Sequence, residues 1–143
     1  MPQKKIYAKE SGIDLESGHE TEYFKWFSAT LLFGKPVQQD VAKRAYSELV
    51  QEGITSPEAI LKAGWDKSVE VLDRGHYVRY DFSTATKLLD VSSALQEEYG
   101  TFGASLKQSR TIDELSARLQ EFKGVGPKTV EIFLRDMNPL LEQ

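Results

Sequence analysis

From Tyr23 to Phe33 the chain reads YFKWFSATLLF, and this stretch limits the possible folds more than any other. On a helix of 3.6 residues per turn, Tyr23, Phe24, Trp26, Phe27, Leu31 and Leu32 cover most of the circumference. A single apolar stripe can be buried by one neighbour. A cylinder that is apolar nearly all round needs neighbours on every side, so the expected element is a central helix. Thr21 can cap its start and Gly34 can close its end.

The rest of the chain supplies helices to surround it. After GKP, a second helix carries Val41, Ala45 and Leu49 on one stripe and ends at Gly53. SPEAILKAG pairs a Ser56 cap with Pro57 at the first helical position and Gly64 beyond the end. A short helix follows from Asp66 to Gly75. HYVRYDFS alternates weakly, but no second strand stands ready to pair with it, so it is expected as a loop into a long helix from Ser83 to Tyr99. A short helical piece is expected at Ala104 to Gln108. Thr111 and Glu114 form a capping box for a helix with Ile112, Leu115, Leu119 and Phe122. Pro127 opens the last helix, with Val130, Phe133, Leu134 and Met137 facing inward. The sum is an all-α domain of roughly seven or eight helices spanning residues 21–143, preceded by a loosely held polar arm at residues 1–20.

Composition narrows the chemistry. A chain of 143 residues, 40% hydrophobic and 28% charged, is long enough for one domain with one core. The absence of cysteine excludes disulfides, a thiol nucleophile, cysteine-ligated zinc and an iron–sulfur cluster. No stretch has the length of a membrane span, and the N-terminus has no signal-peptide core, so a cytoplasmic protein is expected, nucleoid-associated if prokaryotic. The formal net charge of −4 gives no whole-molecule attraction to a polyanion. Any nucleic-acid contact must use a local patch or main-chain amides.

EFKGVGPKTVEIFLRDM, from Glu121 to Met137, offers such amides. Gly124 and Gly126 can adopt positive φ and admit a partner close to the backbone. Pro127 presets the helix and has no N–H to leave unpaired. The next amides, on Lys128 and Thr129, lack intrahelical acceptors and, with the helix dipole, suit a phosphate oxygen. Lys123 and Lys128 flank the turn. Upstream, DRGHYVRYDFSTATK interleaves Arg74, His76, Arg79 and Lys87 with Tyr77, Tyr80 and Phe82. Basic groups there can touch phosphates and an aromatic ring can stack on a base, or the rings can simply pack the loop with Asp73 and Asp81 offsetting the charge. Trp26 and Trp65 read as packing residues. Glu131 reads as a solvent-facing neighbour of Lys128, and Asp136 as lying on a solvated face.

The order FKGVGPKTV resembles the helix–hairpin–helix of the DNA glycosylase superfamily that includes endonuclease III, here at residues 111–137. EYFKWFSATLLFGKPVQQDVAKRAY is similar to that family's first core helix and its successor, so the likeness extends from Tyr23 to Met137. The resemblance implies the family's all-α fold, non-sequence-specific binding of double-stranded DNA through its backbone, and a place in base-excision repair. It puts DNA contacts at Lys35, Arg79, Lys123, Gly124, Val125, Gly126, Lys128 and Thr129. A monovalent cation, potassium or sodium, is implied at the carbonyls of Gln120, Phe122 and Val125, with no other cofactor required. Lys128 falls where bifunctional relatives carry a catalytic amine, the nucleophile of glycosylase and abasic-site lyase chemistry. The family's catalytic aspartate lies in a segment beyond the hairpin that has no counterpart before Gln143. Asp136, roughly 12 Å along the same helix, is a poor substitute. Lys35 or Gln38 stands where relatives fill the gap left by an extruded base. Three readings stay open: a glycosylase or lyase using Lys128, a non-catalytic DNA-binding protein, and a helical domain whose hairpin serves protein contacts.

Overall fold

The computed structural model describes residues 8–17, 19–35, 37–100, 102–107 and 111–141. Residues 1–7 and Gly18 of the expected arm, and Gln108 of the expected short helix, lie outside them. Among the described residues, seven α-helices follow in order: α1 (Glu20–Phe33), α2 (Gln39–Gln51), α3 (Pro57–Arg74), α4 (Asp81–Glu98), α5 (Phe102–Lys107), α6 (Ile112–Gln120) and α7 (Pro127–Leu141). Among the described residues there is no strand, and no helix is long and apolar enough to cross a membrane.

The central position expected of the first helix is observed. In α1, Phe24, Trp26, Phe27, Leu31 and Leu32 are all buried, and the helix packs against α2, α4, α5 and α7. Phe27 stacks on Phe102 of α5 with centroids 5.1 Å apart and meets Phe133 of α7 edge-on at 5.4 Å. The indole N–H of Trp26 donates to the Phe133 carbonyl at 3.3 Å, which ties α1 to α7 without leaving a buried donor unpaired. The start differs by two residues: α1 begins at Glu20 after its N-cap His19, so Thr21 lies inside the helix and does not cap it. Glu20 and Glu22 in the first turn complement the helix dipole in place of a side-chain cap.

The other caps follow the sequence closely. The Ser56 hydroxyl accepts the Ala59 amide at 3.1 Å, and the Thr111 hydroxyl accepts the Glu114 amide at 3.0 Å. Gly64, expected to end one helix before another, sits at φ 80° and ψ 176° and breaks α3 into two rods. The long helix α4 lies along α3 and begins at Asp81, two residues before the expected Ser83.

The N-terminal segment differs from expectation. It is not a loose arm where it is described: Ala8, Ile13 and Leu15 are buried in the common core, and 3₁₀ turns form at Ala8–Ser11 and Leu15–Ser17. The Ala8 amide donates to the Asp136 carboxylate at 2.6 Å. That bond also corrects the reading of Asp136. Its side chain is only 9% exposed and holds the N-terminal segment against α7. Sequence polarity concealed this because a few apolar residues spaced along a polar segment are enough to dock it.

Candidate nucleic-acid interface

Two buried side chains anchor the bend between α6 and α7. Phe122 and Val125 are 4% and 5% exposed, and the Val125 amide donates to the Phe122 carbonyl at 3.1 Å. Val125, expected among the DNA contacts, therefore offers only main chain to the outside. Between these anchors Gly124 turns outward at φ +87°, a conformation that costs an L-residue roughly 1–2 kcal/mol. Gly126 does not share it. Contrary to expectation, its φ is not positive, and a Cβ placed on it would have open space around it. Its carbonyl accepts the Val130 amide at 3.2 Å, which starts α7.

The amides of Gly126, Lys128 and Thr129 have no acceptor among the described residues. Lys123, Gly124 and Lys128 are exposed beside them. Thr129 is 6% exposed, because Gly34 at the end of α1 presses on it. A Cβ on Gly34 would lie 2.5 Å from the Thr129 hydroxyl, so only glycine lets α1 reach the start of α7 this closely. That approach delivers Lys35, the next residue, to the hairpin.

Three more cations converge around this point. The Lys35 ammonium lies 5.3 Å from the centre of the Tyr80 ring, and the Arg79 guanidinium lies 5.4 Å from the same ring. Lys87, on the second turn of α4, lays its stem across Gly124: a Cβ on that glycine would sit 2.8 Å from Cγ of Lys87. Burial and the neighbouring Lys35 together hold the Lys87 ammonium down to about 8. No ion pair links Lys35, Arg79, Lys87, Lys123 or Lys128 to a carboxylate among the described residues. The Tyr80 ring thus joins Lys35 and Arg79, and Lys35 adjoins Lys87, whose stem covers Gly124 in the bend between α6 and α7. Lys87 was legible only as one of several basic residues in its segment; nothing in the sequence tied it to Gly124.

The loop from His76 to Asp81 divides its aromatic residues. Tyr77 is buried, with its hydroxyl donating to the Leu32 carbonyl at 2.8 Å. Phe82 is 60% exposed and leans on Trp65 with centroids 5.1 Å apart, while the Trp65 N–H donates to the Thr86 hydroxyl at 3.0 Å. Packing therefore explains Tyr77 but leaves Phe82 outside. Asp73 and Asp81 do not simply balance neighbouring cations. They face one another, and the hydrogen bond with Asp81, then burial, raises Asp73 to about 6. His76, the one non-glycine residue at positive φ among those described (φ 67°), turns the chain between them.

Among the described residues, no group of three histidine, aspartate or glutamate side chains could hold a metal ion. A monovalent cation is expected at three main-chain oxygens of this bend, those of Gln120, Phe122 and Val125. The Phe122 carbonyl already accepts an amide, whereas those of Gln120 and Val125 accept none among the loop hydrogen bonds. A cavity of about 320 Å³ between His19, Glu20, Phe24, Ser56, Glu58 and Phe102 shares no residue with the hairpin or the cations beside it. No family model, curated protein or solved structure matches the chain.

Proposed function

We propose that the protein binds double-stranded DNA by its sugar–phosphate backbone, as a helix–hairpin–helix protein of base-excision repair. The observation that carries the reading is that, among the described residues, the amides of Gly126, Lys128 and Thr129 have no acceptor and Lys35, Arg79 and Lys87 have no carboxylate partner. A phosphate oxygen fits the amides of Gly126, Lys128 and Thr129 at the start of α7, where the helix dipole favours negative charge. Neighbouring phosphates take Lys35, Arg79 and Lys87 on one side, and Lys123 and Lys128 on the other. Backbone contacts of this kind position a protein without reading sequence, and they do not need a basic protein overall.

Phe82, exposed at the start of α4 and leaning on Trp65, is a ring that could stack on an unpaired base. A monovalent cation at the carbonyls of Gln120, Phe122 and Val125 would extend the grip on the same phosphate. Lys128, exposed on the first turn of α7, contacts a phosphate or supplies the amine of a lyase reaction.

Fluorescence anisotropy with two labelled duplexes of unrelated sequence tests the reading. The expected result is similar, salt-sensitive binding of both. No binding at low salt contradicts it, and binding of one sequence alone contradicts the backbone mode.

A further inference from the structure

We infer that Tyr80 is a positioning residue of this face, its ring holding Lys35 and Arg79 ready for an outside phosphate without cancelling the charge of either. The inference rests on the DNA reading and names the side chain that prepares that surface.

The loop between α3 and α4 is tied to the end of α1 before the chain reaches Tyr80. Tyr77 is buried, and its hydroxyl donates to the Leu32 carbonyl at 2.8 Å. Tyr80 follows shortly after that anchor, as Lys35 follows shortly after Leu32. The main chain of Tyr80 is fixed as well, since its carbonyl accepts the Thr84 amide at 2.9 Å. The ring therefore stands where two separate segments meet. The Lys35 ammonium comes to it from the end of α1 at 5.3 Å, and the Arg79 guanidinium from the loop at 5.4 Å.

A carboxylate in the same place would hold these cations more firmly, but it would also occupy them. An aromatic face attracts a cation through its quadrupole and carries no net charge, so both cations stay fully positive. Asp81, the acid next to Tyr80 in the chain, is engaged elsewhere: its carboxylate accepts the Phe82 amide at 2.7 Å and faces Asp73. No carboxylate forms an ion pair with Lys35 or Arg79 among the described residues. Two long side chains already held against a ring also lose less freedom when they seat on phosphates.

The test measures duplex affinity by anisotropy at low salt, with three replacements at this one position. Tyr80→Phe keeps the ring and should bind as the wild type does. Tyr80→Leu removes the ring and should weaken binding about five- to tenfold. Pentafluorophenylalanine in place of Tyr80 keeps the shape of the ring but reverses its quadrupole, so it should weaken binding as Tyr80→Leu does. The loss should vanish when Lys35→Gln and Arg79→Gln are already present, because no cation is left for the ring to hold. Wild-type affinity in the fluorinated protein overturns the inference and leaves the DNA reading standing. So does a Tyr80→Phe protein as weak as Tyr80→Leu, or a loss that persists without the two cations, which would assign Tyr80 to packing.

If the wild type binds no duplex, the DNA reading fails, and the ring's hold on Lys35 is read by proton NMR. The ε-methylene protons of Lys35 should lie upfield of their random-coil position in the wild type and return to it in Tyr80→Leu. That pattern retains Tyr80 as the holder of these cations. Unshifted protons in the wild type overturn it.

Discussion

The protein carries two clusters of cations that are built in opposite ways. In the first, Arg74 and Lys67 of α3 meet Glu52 at the end of α2 and Glu70 of α3, and Arg74 reaches both carboxylates. The Arg74 guanidinium holds Glu52 below the usual carboxylate range. In the second, Lys35 and Arg79 lie over the Tyr80 ring and Lys35 adjoins Lys87, and none of the three forms an ion pair with a carboxylate among the described residues. The first cluster is complete within the protein. The second bears the repulsion of like charges, and an anion from outside would relieve it. The difference teaches that net charge is a poor guide here: an acidic chain can hold its acids in one place and leave its bases unmatched in another.

The largest effect should come from dismantling the unmatched cluster. Lys35→Gln with Lys87→Gln is expected to weaken duplex binding about hundredfold at low salt, measured by anisotropy, because two phosphate contacts are lost. Lys67→Gln with Arg74→Gln removes as much charge from the matched cluster and should leave binding unchanged. Equal losses in both would erase the distinction.

A smaller effect separates the two hairpin glycines. Gly124→Ala places a Cβ at positive φ and against the Lys87 stem, and should cost about 1–2 kcal/mol in urea unfolding. Gly126→Ala meets neither obstacle and should leave stability nearly unchanged while weakening duplex binding, since only an outside phosphate needs that space. A Gly126→Ala protein that binds normally would show that no partner approaches there.

The sequence allowed the helical frame to be read almost throughout. The caps at Ser56 and Thr111 and the inward positions Val130, Phe133, Leu134 and Met137 all stand where local chemistry and the helical period put them. These features depend on residues within a few positions of each other. The contacts that define the candidate site do not. Lys87 reaches Gly124, and Gly34 reaches Thr129, only because packing of α1, α4 and α7 closes long stretches of chain. The same holds for Ala8 on Asp136. The Asp73–Asp81 pair was within reach of inspection, yet its like charges read as offsetting bases until the loop geometry turned them toward each other.

That acid pair gives a third, pH-dependent comparison. Asp73 is raised from 3.8 to about 6, so the folded state holds its proton more tightly than the unfolded chain. Its stabilising contribution is complete below about pH 4 and lost as the pH rises through 6. Asp73→Asn should therefore raise the thermal midpoint above pH 6 and lose that advantage near pH 4. The smallest effect is expected at the matched cluster, where Arg74→Gln should barely move the midpoint, since exposed ion pairs contribute little.

The central claim is that the hairpin face holds phosphates, and the salt dependence of duplex binding tests it most directly. Plotted as log affinity against log salt, wild-type binding should fall with a slope of about −3 to −5, as three to five cations release counterions. The slope should become shallower by about one unit for each lysine removed at this face. A flat plot, or a slope that ignores Lys35 and Lys87, would contradict the account.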